Sequence, residues 1–75
     1  MENGMKLYER RNEVGHIVEW WTQRNKMGIY FSIKPIGKGY VVTLNDDFKY
    51  AQCENFAEAE RKLREVELEY ADKRY

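Results

Sequence analysis

The spacing of apolar residues changes twice along this chain, and that order limits the fold more than any motif does. Ile29, Phe31 and Ile33 alternate with Tyr30, Ser32 and Lys34. An apolar side chain at every second position is what a half-buried strand requires. Residues 40–44 are β-branched and aromatic and predict a central strand; residues 48–53 predict a third. Pro35, Ile36, Gly37, Lys38 and Gly39 supply the first turn, and Asn45, Asp46 and Asp47 the second. Turns this short join antiparallel strands, because parallel strands need a long crossover.

The flanks have helical spacing. Leu7, Val14, Ile17, Val18 and Trp21 fall on one side of a helical wheel and predict a helix over residues 5–27. Its start is open between Met5 and Asn12, the latter a good N-cap residue. Gly15 interrupts this helix, and Gly28 reads as its C-terminal stop. Phe56, Ala59, Leu63, Val66 and Tyr70 follow 3-4-3-4 spacing and predict a second helix over residues 55–72. Asn55 and Glu58 open it in the manner of a capping box. This stripe is expected to lie on the sheet beside the first helix, with a coiled-coil seam as the sharper alternative. The expected fold is α+β, in the order α-β-β-β-α: a three-stranded antiparallel sheet with two helices on one face. Val14, Ile17, Val18, Trp21, Leu63 and Val66 are its expected core. The 75 residues make one small domain, 1–75, with 1–4 as a loose end. No internal repeat is visible.

Composition narrows the function classes. Net charge is zero, yet seven basic and four acidic residues precede Thr43, whereas six basic and nine acidic follow. A strongly acidic DNA mimic is therefore not expected, and neither is binding of nucleic acid by bulk charge. Cys53 and His16 are the single residues of their types, which leaves no disulfide framework and no Cys- or His-based metal site to expect. No cofactor is expected. No apolar run reaches the length of a membrane span and no signal peptide is read, so an intracellular, cytoplasmic protein is expected.

Two surfaces are candidate sites. On the expected first helix, His16, Trp20, Gln23 and Met27 are spaced 4, 3 and 4 apart, with Arg24 placed to stack on the Trp20 indole. A Trp outside the core is a natural interface anchor; the plain alternative is that Trp20 widens the core. On the expected sheet, Tyr30, Ser32, Lys34, Val41 and Thr43 share the face away from the helices, where Tyr and Lys can stack bases or meet a partner protein. Lys34 and Lys38 flank the hairpin turn, whose glycines lack the spacing of a phosphate loop. The carboxylates of the last helix, interleaved with Arg61, Lys62 and Arg64, read as solvated ion pairs rather than as acid–base groups. Leu68 faces away from the Leu63 stripe.

The α-β-β-β-α order resembles the double-stranded-RNA-binding domain over nearly the whole chain, as topology alone. That family binds RNA through a Gly-Pro-x-His-type loop and a Lys-rich start to its last helix. Here the corresponding residues are Lys34-Pro35-Ile36-Gly37-Lys38 and Asn55-Phe56-Ala57-Glu58. The chain also resembles, in style, the small phage and mobile-element inhibitors that include anti-CRISPR proteins: short, cysteine-poor and aromatic-rich, with a hairpin running into a Phe-Ala-Glu-Ala-Glu helix. The expected function is that of a non-enzymatic protein-binding module, a phage-type inhibitor that occludes a host defence or nucleic-acid enzyme. Its partner would be a larger protein or nucleoprotein complex, and a second copy of the chain is a further possible partner. A nucleic-acid-binding module is the alternative.

Overall fold

A computed structural model describes residues 6–71. Five strands precede a single helix: β1 (Tyr8–Arg11), β2 (Ile17–Trp21), β3 (Phe31–Ile36), β4 (Gly39–Leu44), β5 (Phe48–Cys53) and α1 (Phe56–Ala71). The strands form one antiparallel meander in the order β1-β2-β3-β4-β5. The helix lies on β3, β4 and β5. Two places break the register: between Arg10 and Arg11 on β1, and between Val42 and Thr43 on β4. Such irregularities bend and twist the strands that carry them.

Among the described residues the sheet therefore has five strands rather than three, and it carries one helix rather than two. The expected strands over 29–53 are present, though β3 runs on through Pro35 and Ile36, which the sequence assigned to the turn. The last helix is also where its spacing placed it. The helix expected over 5–27 is absent; within the described residues, β1, β2 and two turns occupy that stretch. Residues 1–4, the Met5 start and residue 72 lie outside the described residues.

The two turns explain why a helix does not form. Arg11-Asn12-Glu13-Val14-Gly15 and Arg24-Asn25-Lys26-Met27-Gly28 repeat one pattern, Arg-Asn-x-x-Gly, and fold the same way. In the first, Asn12 Oδ1 accepts the backbone N–H of Val14 (3.1 Å) and of His16 (3.0 Å). In the second, Asn25 Oδ1 accepts those of Met27 (2.8 Å) and Ile29 (3.0 Å). The arginine that opens each turn donates to the carbonyl of its glycine, Arg11 at 2.7 Å and Arg24 at 2.8 Å. The Asn N–H donates four residues on in both, to His16 and Ile29, each at 2.9 Å. An Asn oxygen that takes up backbone N–H groups competes directly with the helical ladder. Gly15 and Gly28 adopt φ of 96° and 80°, in the left-handed region that glycine enters without strain. A short repeat is thus present, and it brackets β2.

The core lies between the sheet and α1. Phe31, Ile33, Val42, Leu44 and Cys53 point from the sheet to Ala59, Leu63 and Val66 on the helix. Leu63 and Val66 are fully buried, as their stripe predicted. Val14 is 74% exposed at a turn, while Ile17, Val18 and Trp21 are half-buried on β2, outside this cluster. Trp20 packs on Phe56 (ring centroids 4.5 Å apart) and Tyr40 (6.0 Å), tying β2 to the start of the helix. Asn55 Oδ1 accepts the Glu58 N–H at 2.8 Å, while the Glu58 carboxylate reaches back to the Glu54 N–H at 3.3 Å. Arg64 pairs with Glu60 and Glu67, and Lys62 with Glu65, so these carboxylates serve ion pairs along the helix.

Candidate binding face

Strand alternation assigns the opposite face of the sheet. Since Phe31 and Ile33 point at α1, Ser32 and Lys34 point away from it. Register carries this across the sheet. Thr43 and Val41 sit opposite Ser32 and Lys34; Trp21 is opposite Ser32; Tyr8 and Arg10 are opposite Trp21 and Glu19. Among the described residues no helix covers this second face, yet Ser32 is 0% exposed, Glu19 and Val41 6%, and Thr43 8%. The Ser32 and Thr43 hydroxyls satisfy each other at 2.7 Å.

Two aromatic stacks stand on this face. Tyr8 and Trp21 lie 4.9 Å apart at 25°, in offset-stacking range, with the Lys6 ammonium over Tyr8 at 5.2 Å. The Arg24 guanidinium lies over the Tyr30 ring at 4.9 Å. Between the stacks is an open depression of about 640 Å³, lined by Arg10, Glu19, Trp21, Thr22, Gln23, Arg24 and Tyr30. Arg10 holds the buried Glu19 carboxylate through Nε (3.1 Å) and Nη2 (2.6 Å). This pair raises the Arg10 pKa.

The β4–β5 turn borders the same face. Asn45 and Asp46 adopt φ of 54° and 67°, the pair of positive values that a type I′ turn requires. Asn45 Oδ1 accepts the Tyr30 N–H (3.1 Å) and an Arg24 N–H (3.4 Å). The Asp46 carboxylate meets Lys34 Nζ at 2.6 Å. That contact raises the Lys34 pKa and lowers that of Asp46. Burial, followed by the charge of Asp46, pushes the Tyr30 phenol above its ordinary value.

The expected site residues separate. Gln23, Arg24 and Tyr30 come together around the depression, with Lys34 on the same face. Val41 belongs to this face but is buried beneath it and offers a partner no surface, contrary to the open sheet expected. His16 lies exposed in the first Asn turn and Met27, 48% exposed, in the second. Trp20 faces α1, so the helical stripe that grouped it with His16, Gln23 and Met27 does not exist. Arg24 stacks on Tyr30, not on Trp20. Lys38 is exposed beyond the far end of β3, beside a second depression that includes Gly39, Gln52 and Cys53. Burial raises the Cys53 pKa and keeps that thiol protonated.

Tyr8, Arg10, Glu19 and Trp21 were not singled out as a site by the sequence. Their signal is the period-two series Tyr8/Arg10 and Glu19/Trp21, legible once β1 and β2 are recognised as strands. Among the described residues, no group of three or more His, Cys, Asp or Glu is placed to hold a metal ion. No described helix is long and apolar enough to cross a membrane. What the face offers chemically is stacking area and guanidinium donors. Comparison with known protein families, curated proteins and solved structures finds no match.

Proposed function

We propose that this is a small protein-binding module whose contact surface is the second sheet face around Trp21, Arg24 and Tyr30. The observation that carries the reading is the depression between two aromatic stacks, with apolar ring area and hydrogen-bond donors in one place. Aromatic and Arg side chains are the residue types on which binding energy concentrates. Such a module acts by occupancy, blocking or bridging a larger protein or nucleoprotein complex. An occluding inhibitor of phage type is the finer reading, supported by the style of the sequence.

The state of the cations favours protein over nucleic acid. Lys34 is engaged by Asp46, and Arg10 gives two of its donors to Glu19, so of the cations lining the depression only Arg24 meets no carboxylate among the described residues, which suits a single acid better than a run of phosphates. The chain as a whole carries no net positive charge.

The test is a comparative capture experiment. Wild type, the double variant Trp21→Ala/Tyr30→Ala and the helix-face variant Leu68→Glu are immobilised after circular dichroism has shown each to be folded. Proteins retained by wild type and Leu68→Glu but lost on the double variant support the reading. Loss on Leu68→Glu alone, or duplex RNA or DNA retained tightly in a low-salt gel shift, contradicts it.

A further inference from the structure

We infer that the depression takes an acidic segment of a partner protein. One Asp or Glu side chain lies against the donors of Arg24 and Arg10, and a neighbouring apolar or aromatic side chain lies against Trp21. The inference rests on the protein-binding reading above and names the chemistry of its partner.

The charge around the depression is not balanced. Arg10 and Arg24 line it against a single carboxylate, Glu19. Glu19 is already held by Arg10, and both bonds run to one of its oxygens. Lys34 and Asp46 on the same face neutralise each other. Arg24 is left over. Among the described residues it meets no carboxylate; its Nη1 reaches only the Gly28 carbonyl and the Asn45 amide oxygen. Its Nε and Nη2 have no partner among the described residues, and neither has Arg10 Nη1.

Geometry adds selectivity to charge. A guanidinium held over an aromatic ring still presents N–H groups in a fork that matches a carboxylate. Arg24 is held over the Tyr30 ring, 4.9 Å from its centroid, and by the Arg-Asn-x-x-Gly turn, so little side-chain freedom is lost when an acid binds. Glu19 in the floor, next to Arg10, disfavours a second negative charge deep in the depression. A single carboxylate beside a ring or aliphatic side chain fits this layout better than a run of phosphates.

The probe is a random dodecapeptide library displayed on phage with no free peptide C-terminus, selected against the immobilised full chain. The expected result is enrichment of sequences pairing Asp or Glu with Trp, Tyr, Phe or Leu. A fluorescein-labelled synthetic copy of a selected peptide is then read by anisotropy. Changing its acids to Asn or Gln, or the protein by Arg24→Gln, is expected to weaken binding about tenfold each, of the order of a single charge-assisted contact. Trp21→Ala should weaken it independently. Arg24 is exposed, and circular dichroism confirms the fold of the variant. Selected peptides without acid enrichment, or no selection at all, overturn the acidic partner; the capture experiment still decides the protein-binding reading. Labelled oligothymidylate binding more tightly than any selected peptide overturns both.

Discussion

Asp46 sits in the left-handed region, which Asp enters more readily than most residues with a Cβ, and its carboxylate holds Lys34 at 2.6 Å. The electrostatics have a definite sign. The Asp46 carboxyl titrates below its ordinary 3.8 when folded, so its contribution is present above that pH and is lost as pH falls through the folded value. The Lys34 ammonium titrates above its ordinary 10.5, so its contribution is present below that pH and is lost as pH rises through the folded value. Asp46→Asn keeps a side chain that tolerates positive φ but removes the charge. The expected outcome is a flatter profile of melting temperature against pH at both the acid and the alkaline end. The Tyr30 phenol should also titrate closer to its ordinary value in this variant, read by phenolate absorbance, while burial keeps it raised. A wild-type profile unchanged by Asp46→Asn would show that the pair does not couple to folding. Gly39 makes a different residue-scale demand. A Cβ there would sit 2.4 Å from the Cys53 carbonyl oxygen, which is backbone and has little room to move. Gly39→Ala should therefore cost about 1–3 kcal/mol in urea denaturation.

At the scale of elements, β2 shows where the sequence misleads. Its burial is half-buried on both faces, with Trp20 against Phe56 and Trp21 against Tyr8. A strand with two apolar faces loses the alternation that would announce it. What remains is Ile17, Val18 and Trp21, which combine with Val14 into a chance helical stripe. Strand β3 and α1 were legible because residue type alternates or repeats on one side, Phe31 and Ile33 with Ser32 and Lys34 between them and Ala59, Leu63 and Val66 in one helical stripe, and β4 because its run is β-branched and aromatic. The cue that could have corrected the N-terminal half is the repeated Arg-Asn-x-x-Gly, since two glycines at matching offsets suit turns better than one helix. The same ambiguity hid half of the candidate face. Gln23, Arg24, Tyr30 and Lys34 stood out by residue type, whereas Tyr8, Arg10, Glu19 and Trp21 depend on strand pairing for their meaning. The elements make quantitative demands as well. Asn25→Ala removes the acceptor of two backbone N–H groups and should cost about 1–3 kcal/mol. Leu63→Ala should cost about 2–4 kcal/mol, and Trp20→Ala a similar amount because the indole is only half-buried. Denaturation in urea checks all three; a loss below about 0.5 kcal/mol for Trp20→Ala would place that ring outside the core.

At the scale of the whole molecule, the uneven charge along the sequence becomes a division of surfaces. The basic first part of the chain supplies Lys6, Arg10, Arg24 and Lys34 to the second sheet face, while the acidic last part forms a helix whose ion pairs lie on the other side. One side of the sheet is thus committed to the core, and the other keeps stacked rings and a guanidinium without a carboxylate partner among the described residues. That division is the ground on which we propose the second face as the binding surface, and it says where a ligand should leave its mark. The most direct measurement is an NMR titration of the isotopically labelled protein with the partner segment it captures, following backbone amides and both Trp indoles. The largest shifts are expected on the Trp21 indole and on the amides of Thr22, Gln23, Arg24 and Tyr30, with the Trp20 indole and Leu68 little changed. Shifts centred on the exposed helix face around Leu68, or on the turn at Lys38, would contradict it.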